Sequence, residues 1–414
     1  MRSGASQLRA DHQVQLLEGS QAYFPALVQA IDQSLHEVRM ETYIFDLTAS
    51  GQAVAEALER AARRGVAVYL VMDGVGTPAV PAHWAQRLDA AGVQWRIFSP
   101  LGRFGLLIPS RWRRLHRKLC VVDGQLAFCG GINILDDFFD PNHGKLAAPR
   151  FDFAVRVRGP LVQSVHEACA QFWWRQQAAR TARSAQFVSA WHALQEAVAQ
   201  GTRAATPGAE PGCGIAAAES LGVGTLAELV LRDNLLNRSR IERAYRRAIG
   251  EARRDIIIAN AYFVPGGKLR KSLIHAATRG VRVRLLLQGR YEYFMQYHAA
   301  RPVYGALLAA GVEIHEYSAS FLHAKVAVID GHWATVGSSN LDPLSLLLAR
   351  EANVVVDDRQ FAQALQARLE QAMAEGGKRV DPQAYANRPW QQRLLDRLAH
   401  GLMRVLLFLS GKRY

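Results

Sequence analysis

Short apolar runs rich in β-branched residues alternate along this chain with stretches in which apolar positions recur every three or four residues. Runs such as 66–72 have the length of a strand, and the amphipathic stretches between such runs have the length of short helices. This alternation predicts βαβ units built on a buried sheet. The pattern also comes twice. Gly65-Val-Ala-Val-Tyr-Leu-Val-Met-Asp-Gly74 follows a helical pattern ending near Arg64, and Gly280-Val-Arg-Val-Arg-Leu-Leu-Leu-Gln-Gly289 follows one ending at Arg279, 215 positions later. Ala90-Ala-Gly-Val93 is answered by Ala309-Ala-Gly-Val312 at an offset of 219, and the surroundings of Tyr43 by those of Tyr262. A near-constant offset predicts a duplication. The expected fold is α/β, two domains each with a mostly parallel mixed sheet flanked by helices, packed with pseudo-twofold symmetry. The expected divisions are a first domain at 1–200, an Ala/Gly/Pro-rich linker at 201–224 and a second domain at 225–380. A basic amphipathic tail follows at 381–414, with Trp390, Leu394, Leu395, Leu398, Leu402 and Leu406 at helical spacing among arginines.

With 414 residues, 50% hydrophobic and 21% charged, the composition excludes both a disordered chain and a small disulfide-stapled module. Lys+Arg of 50 against Asp+Glu of 36 leaves a net charge of +14, which suits a polyanionic partner, either nucleic acid or an anionic membrane. Only seven of the basic residues are lysines, so a lysine at a chemical site carries information. Cys120, Cys129, Cys169 and Cys213 have no Cys-x-x-Cys spacing, and a reducing, intracellular compartment is expected. Polar residues follow Met1 where a secretory leader would be apolar, and no run approaches the roughly 18 apolar residues that cross a bilayer. The protein is expected to lie on a membrane rather than span it.

The chemistry sits where the repeat is sharpest. His116-Arg-Lys118 leads to Asp123 and His323-Ala-Lys325 leads to Asp330, both as His-x-Lys-x4-Asp. Each motif continues into a glycine turn and an asparagine: Gly130-Gly131-Ile132-Asn133 and Gly337-Ser338-Ser339-Asn340. On a strand the histidine and lysine of each motif share a face. An imidazole beside an ammonium suits a phosphate better than a metal ion, since the lysine holds an anionic oxygen while the histidine attacks or shuttles a proton. Two such pairs packed together would flank one phosphorus atom, with one histidine forming a covalent intermediate and the other protonating the leaving oxygen. Lys118, Lys325, Asn133 and Asn340 would hold the remaining phosphate oxygens, where transition-state charge builds up. A neutral nucleophilic imidazole also needs its second nitrogen fixed. Asp152 and Glu351, each opening the strand after its half's glycine-asparagine turn, are the candidates for orienting the histidines.

These residues resemble the phospholipase D superfamily, whose signature is a doubled His-x-Lys-x4-Asp followed by Gly-Gly/Ser-x-Asn, and the resemblance runs from Gln13 to Asp358. Leu231-Arg-Asp-Asn234, the helical pattern at 241–249 and Ile256-Ile-Ile-Ala-Asn-Ala-Tyr-Phe-Val-Pro265 are similar to the B-type bacterial cardiolipin synthases. The resemblance implies two phospholipase D-like domains and phosphatidyl transfer between two phosphatidylglycerols, giving cardiolipin and glycerol through a phosphohistidine. It implies one histidine as nucleophile and the other as acid, with His116 preferred over His323 as the nucleophile, Asp123 and Asp330 as residues that order the motif, and no metal or other cofactor. A serine hydroxyl beside the phosphate would come from Ser338 alone, because the first motif has Gly131 there. The alternative is a phosphodiesterase of the same superfamily that hydrolyses phospholipid or nucleic acid.

The stretch 105–115 carries Leu106, Leu107, Ile108 and Trp112 among arginines and predicts a membrane-facing lip, with the tail as a second contact. A nuclease groove would instead interleave aromatic stacking residues with basic ones. The expected partner is therefore an anionic phospholipid bilayer, phosphatidylglycerol serving as donor and acceptor, at the cytoplasmic face. Nucleic acid is disfavoured, and one chain carrying both motifs implies no obligate protein partner. Asp73-Gly-Val-Gly76 is read as a plain turn.

Overall fold

The computed structural model describes residues 8–102, 109–140, 143–183, 224–233, 237, 239–290, 294–342 and 349–409. The apolar part of the expected lip (103–108), nearly all of the expected linker (201–223) and residues 410–414 lie outside these. The first half contains β1 (Arg9–Glu18), α1 (Gly19–Asp32), β2 (Glu37–Thr42), α2 (Ala49–Arg63), β3 (Ala67–Asp73), α3 (Ala82–Ala91) and β4 (Gln94–Phe98). A 3-10 turn at Pro109–Trp112 then leads into β5 (Arg114–Leu115), β6 (Lys118–Val122), β7 (Leu126–Gly130), β8 (Phe139–Asp140), β9 (Gly144–Lys145), β10 (Phe153–Arg158) and α4 (Leu161–Arg183). The second half contains β11 (Thr225–Arg232), α5 (Arg240–Glu251), β12 (Asp255–Asn260), α6 (Gly267–Thr278), β13 (Arg282–Gln288), α7 (Phe294–Ala309) and β14 (Glu313–Tyr317). It continues with β15 (Lys325–Ile329), β16 (Trp333–Gly337), β17 (Ala349–Asp357), α8 (Arg359–Gly376), β18 (Gly377–Arg379), α9 (Pro382–Ala386) and α10 (Trp390–Leu409).

The strands follow one path, β18-β14-β13-β12-β15-β16-β17-β11-β1-β10-β7-β6-β2-β3-β4. Read outward from the β1–β11 junction, each strand of one half answers a strand of the other, except β18, which extends the second half's edge beyond the repeat. The sheet is mixed, but among the described strands parallel pairing is confined to β2-β3-β4, to β12-β13-β14 and to the short β5–β17 contact, with isolated parallel bridges at Phe45–Ile134, Phe151–Leu322 and Phe263–Leu341. The expectation of mostly parallel sheets is corrected for the inner strands, which pair antiparallel. The cause lies in the motif itself. Asp123 and Gly124 have φ of 52° and 63°, and Asp330 and Gly331 have 53° and 68°. Two successive positive φ values make the tight turn that matches strand twist, so each Asp-Gly folds its motif strand back as a hairpin.

At the junction β1 and β11 pair only at Arg9↔Ala227 and His12↔Thr225, with a register shift between them. What binds the halves is a shared core in which Leu119, Val121, Cys129 and Val155 of one half join Ile257, Val326, Val336 and Val354 of the other, with Val165 of α4 and Leu365 of α8. Each half also has its own outer core beneath its helices, around Leu58 and Leu70 in one and Leu273 and Leu285 in the other. Burying each such side chain contributes about 1.5–3 kcal/mol, so the shared layer holds the halves in one fixed relation.

Helices α9 and α10 fold back on α7: the Tyr385 hydroxyl donates to Arg301 O, and His298 Nδ1 lies 2.8 Å from Asp396 Oδ1. Among the described residues no helix is long and apolar enough to cross a membrane.

Candidate active site

Each histidine segment leaves its own half and attaches to the other. Strand β5 pairs in parallel with the start of β17, Arg114 opposite Ala349 and Leu115 opposite Arg350, and the His116 amide donates to Arg350 O at 3.0 Å. In the second half the Phe151 amide donates to Phe321 O and the His323 amide to Phe151 O, both at 2.9 Å. This backbone exchange sets each histidine against the carboxylate of the opposite half. His116 Nδ1 lies 3.0 Å from Glu351 Oε1, and His323 Nδ1 lies 2.6 Å from Asp152 Oδ2. With Nδ1 engaged, Nε2 is the nitrogen left for chemistry. The sequence pointed to these two carboxylates; that each serves the other half's histidine comes from the fold.

The electrostatics mark a single composite site. Burial lowers the pKa of His116, Glu351 opposes this, and Lys118 and Lys325 lower it further. Burial pushes His323 well down, followed by Lys325, Lys118 and His116. Each imidazole thus feels both lysines. Lys118 is itself lowered to about 7 by burial, with Glu351 opposing and Lys325 adding to the shift. Its Nζ donates to His116 O at 2.6 Å, and Lys325 Nζ donates in the same way to His323 O.

The two carboxylates differ in state and setting. Burial raises Asp152 to about 6 in spite of Lys325, the Phe153 amide and Lys118. Burial also pushes Glu351 up, but His116, Lys118 and the Ser338 hydroxyl outweigh it and hold the group below its ordinary value. Ser338, expected beside the phosphate, is fully buried next to Glu351: its hydroxyl donates to Glu351 Oε2, and its oxygen accepts the Ala352 amide at 3.1 Å. The glycine at the matching position has a steric cause. A Cβ on Gly131 would lie 2.3 Å from Asp152 Oδ1, so the shorter carboxylate, drawn toward this backbone, leaves no room for a side chain.

Asn133 accepts the Ile44 amide at 3.2 Å through Oδ1, which leaves its NH2 end for a ligand, while Asn340 Oδ1 is buried without a partner among the described residues. Asp123 and Asp330 stand at the far end of the motif strands, about 16 Å from the lysines at 3.3 Å per residue. Asp123 accepts the amides of Leu35, His36 and Glu37 at 2.9, 2.8 and 2.8 Å, and Asp330 those of Arg253, Arg254 and Asp255 at 2.9, 2.8 and 2.9 Å. Each clamps the start of β2 or β12 to its hairpin, away from the histidines.

Three features escaped the sequence reading. Asp73, taken as part of a plain turn, does cap it through the Val75 amide, and its other oxygen also accepts the Leu115 amide at 2.7 Å, one residue before His116. Gln288 Oε1 does the same for Leu322 at 3.2 Å, one residue before His323. Both close the strand after the first α/β unit of their half, but an aspartate and a glutamine do not look equivalent in sequence. The Tyr43 ring lies 4.8 Å from the His116 ring and 5.4 Å from Lys118 Nζ; its match with Tyr262 in the repeat was the available signal. Behind His116, Arg117 and Glu41 form a buried ion pair where the second half has Ala324 and Ala259. Among the described residues no group of three or more His, Cys, Asp or Glu side chains is arranged to hold a metal ion.

The family described as "Cardiolipin synthase, PLD-like domain" matches residues 27–147 and again 245–373, each match containing one histidine segment. Cardiolipin synthase B of Escherichia coli (strain K12) is 35% identical over 97% of this chain and 90% of its own length. Cardiolipin synthase A of Erwinia tasmaniensis is 28% identical over 94% of this chain and 74% of its own. Among solved structures, phosphatidylserine synthase of Haemophilus influenzae Rd KW20 superposes with a TM-score of 0.64 at 11% identity, covering 96% of this chain and 94% of that one. Polyphosphate kinase from Porphyromonas gingivalis gives 0.51 at 13% identity, over 87% of this chain and 50% of that one. The two structures bear on the fold alone.

Proposed function

The chain belongs to the phospholipase D-like cardiolipin synthase family, and from that membership we propose that it is a phosphatidyltransferase that converts two phosphatidylglycerols into cardiolipin and glycerol. The observation that carries this reading is the pair of carboxylate-anchored histidines set within reach of the same two lysines. In the first step His116 Nε2 attacks the phosphorus of one phosphatidylglycerol. The bond from phosphorus to the headgroup glycerol oxygen breaks, and that oxygen leaves with a proton from His323. In the second step a headgroup hydroxyl of another phosphatidylglycerol gives its proton to His323, its oxygen attacks the phosphorus, and the phosphorus–nitrogen bond breaks to free His116. Lys118, Lys325 and the two asparagines hold the phosphate oxygens throughout.

The charge state of the empty site fits this use. Burial and Lys325 depress Lys118, both lysines depress the histidines, and an arriving phosphodiester anion would reverse the effect. Substrate binding thereby returns a proton to His323 and full charge to Lys118. The substrates are phospholipids, and we place the enzyme peripherally on an anionic bilayer at the cytoplasmic face, where donor and acceptor are both at hand.

The test is to incubate the purified chain with phosphatidylglycerol vesicles and follow lipids and glycerol by mass spectrometry. One cardiolipin and one glycerol per two phosphatidylglycerols consumed is the expected result. Phosphatidic acid without cardiolipin would replace this reading with a phospholipase, and cleavage of DNA or RNA at a comparable rate would replace it with a nuclease.

A further inference from the structure

Helix α10 is turned the wrong way round for a helix that merely caps a domain. Its buried residues include Asp396, 4% exposed, whereas Trp390, Leu394, Leu398 and Leu402 are 69, 48, 62 and 51% exposed. Spaced four residues apart, these side chains form one stripe about 18 Å long at 1.5 Å rise per residue. The orientation is fixed from beneath: Asp396 is held by His298 at 2.8 Å and by Arg388 at 3.0 Å, so rotating the helix to hide its leucines would break both ion pairs. Arg393 and Arg397 are exposed beside the stripe.

The direction of the helix is equally defined. Tyr385, just before it, stacks on Tyr304 and donates to Arg301 O, and eleven residues later Asp396 meets His298. Helix α10 therefore runs antiparallel to α7, toward the end at which α7 begins. That end follows the close of β13, where Gln288 holds the residue before His323.

We propose that the outward stripe of α10 is the docking surface for an anionic phospholipid bilayer and that it leads to the active-site end of the second half; this rests on the lipid-transfer reading above. A bilayer supplies what the face lacks: apolar depth for the tryptophan and leucines, and anionic headgroups for the arginines, on a chain of net charge +14.

The experiment compares the full-length chain with the double variant Leu394→Glu, Leu398→Glu. Both leucines are exposed, so an unchanged melting temperature is expected and serves as the folding control. Flotation with phosphatidylglycerol and with phosphatidylcholine vesicles should find the wild type on the former, and the variant bound about 100-fold more weakly or worse. On short-chain phosphatidylglycerol dispersed in detergent micelles, which needs no docking, the two should turn over alike. Undiminished vesicle binding by the variant overturns the proposal. So does a change from dimer to monomer in ultracentrifugation with vesicle binding intact, which would make the stripe a contact between copies. If the wild type makes no cardiolipin in micelles, the transfer reading fails while the flotation result still decides the docking surface.

Discussion

The two halves carry the same backbone device and finish it differently. In both, the residue before the histidine is held by a side chain from the end of a strand, the histidine amide is tied to the opposite half, and a carboxylate from that half holds Nδ1. Yet Glu351 is held below its ordinary pKa and supported by a serine hydroxyl, while Asp152 is raised to about 6 and presses on a glycine. In the proposed mechanism an ionised carboxylate on Nδ1 would favour the positive charge that His116 gains on attacking phosphorus. A carboxylate nearer neutrality leaves its histidine freer to lose and regain a proton. Duplication supplied the geometry, and the surroundings of the carboxylates divide the work.

The sharpest way to break this comparison is to remove the histidines. His116→Ala and His323→Ala should each lower cardiolipin formation about ten-thousand-fold or more, since residues that act as a unit fail together. They should part company on a phosphatidyl ester whose leaving group needs no proton, such as a nitrophenyl ester. There His323→Ala should still trap the phosphatidyl group on His116 with release of nitrophenolate, detectable by mass spectrometry, and His116→Ala should not. The reverse result would exchange the two roles.

A smaller effect is expected from the carboxylates. Glu351→Gln should cost up to about ten-thousand-fold in kcat, in the range of losing the orienting carboxylate of a catalytic histidine, and Asp152→Asn about ten times less. Equal losses would mean that the two environments are not functionally distinct.

The smallest effect concerns pH. Below about 6 Asp152 takes up a proton, so wild-type activity should fall as pH drops through that value, and Asp152→Asn should flatten this acid limb. With Lys118 at about 7 in the empty site, kcat/KM should also fall as pH rises above 7. Lys118→Arg, which keeps its charge, should remove that alkaline limb even at reduced rate. An alkaline limb unchanged in the arginine variant would assign it to another group.

The chain displayed its strands, its duplication and its two motifs because those are local patterns of alternation and spacing. It also displayed Val122-Asp-Gly-Gln125 between two apolar runs, a hairpin signal whose weight was missed when the sheets were read as mostly parallel. The crossing of Glu351 to His116 and of Asp152 to His323 joins residues 235 and 171 positions apart, and no local pattern specifies it. Ser338 is expected beside the phosphate because it lies in the motif. Only burial beside Glu351 reveals that its hydroxyl is already engaged. Helix α10 was legible as amphipathic, but the sequence could not say which side faces outward, because that depends on where Asp396 finds its partners.

The crossing also has a consequence in time. His116 leaves the ribosome 235 residues before the carboxylate that orients it, a delay of roughly 12 to 47 s at 5–20 residues per second. Throughout that interval the nascent first half lacks the carboxylate that sets its imidazole, so in the proposed mechanism His116 stays unoriented until Glu351 has been made.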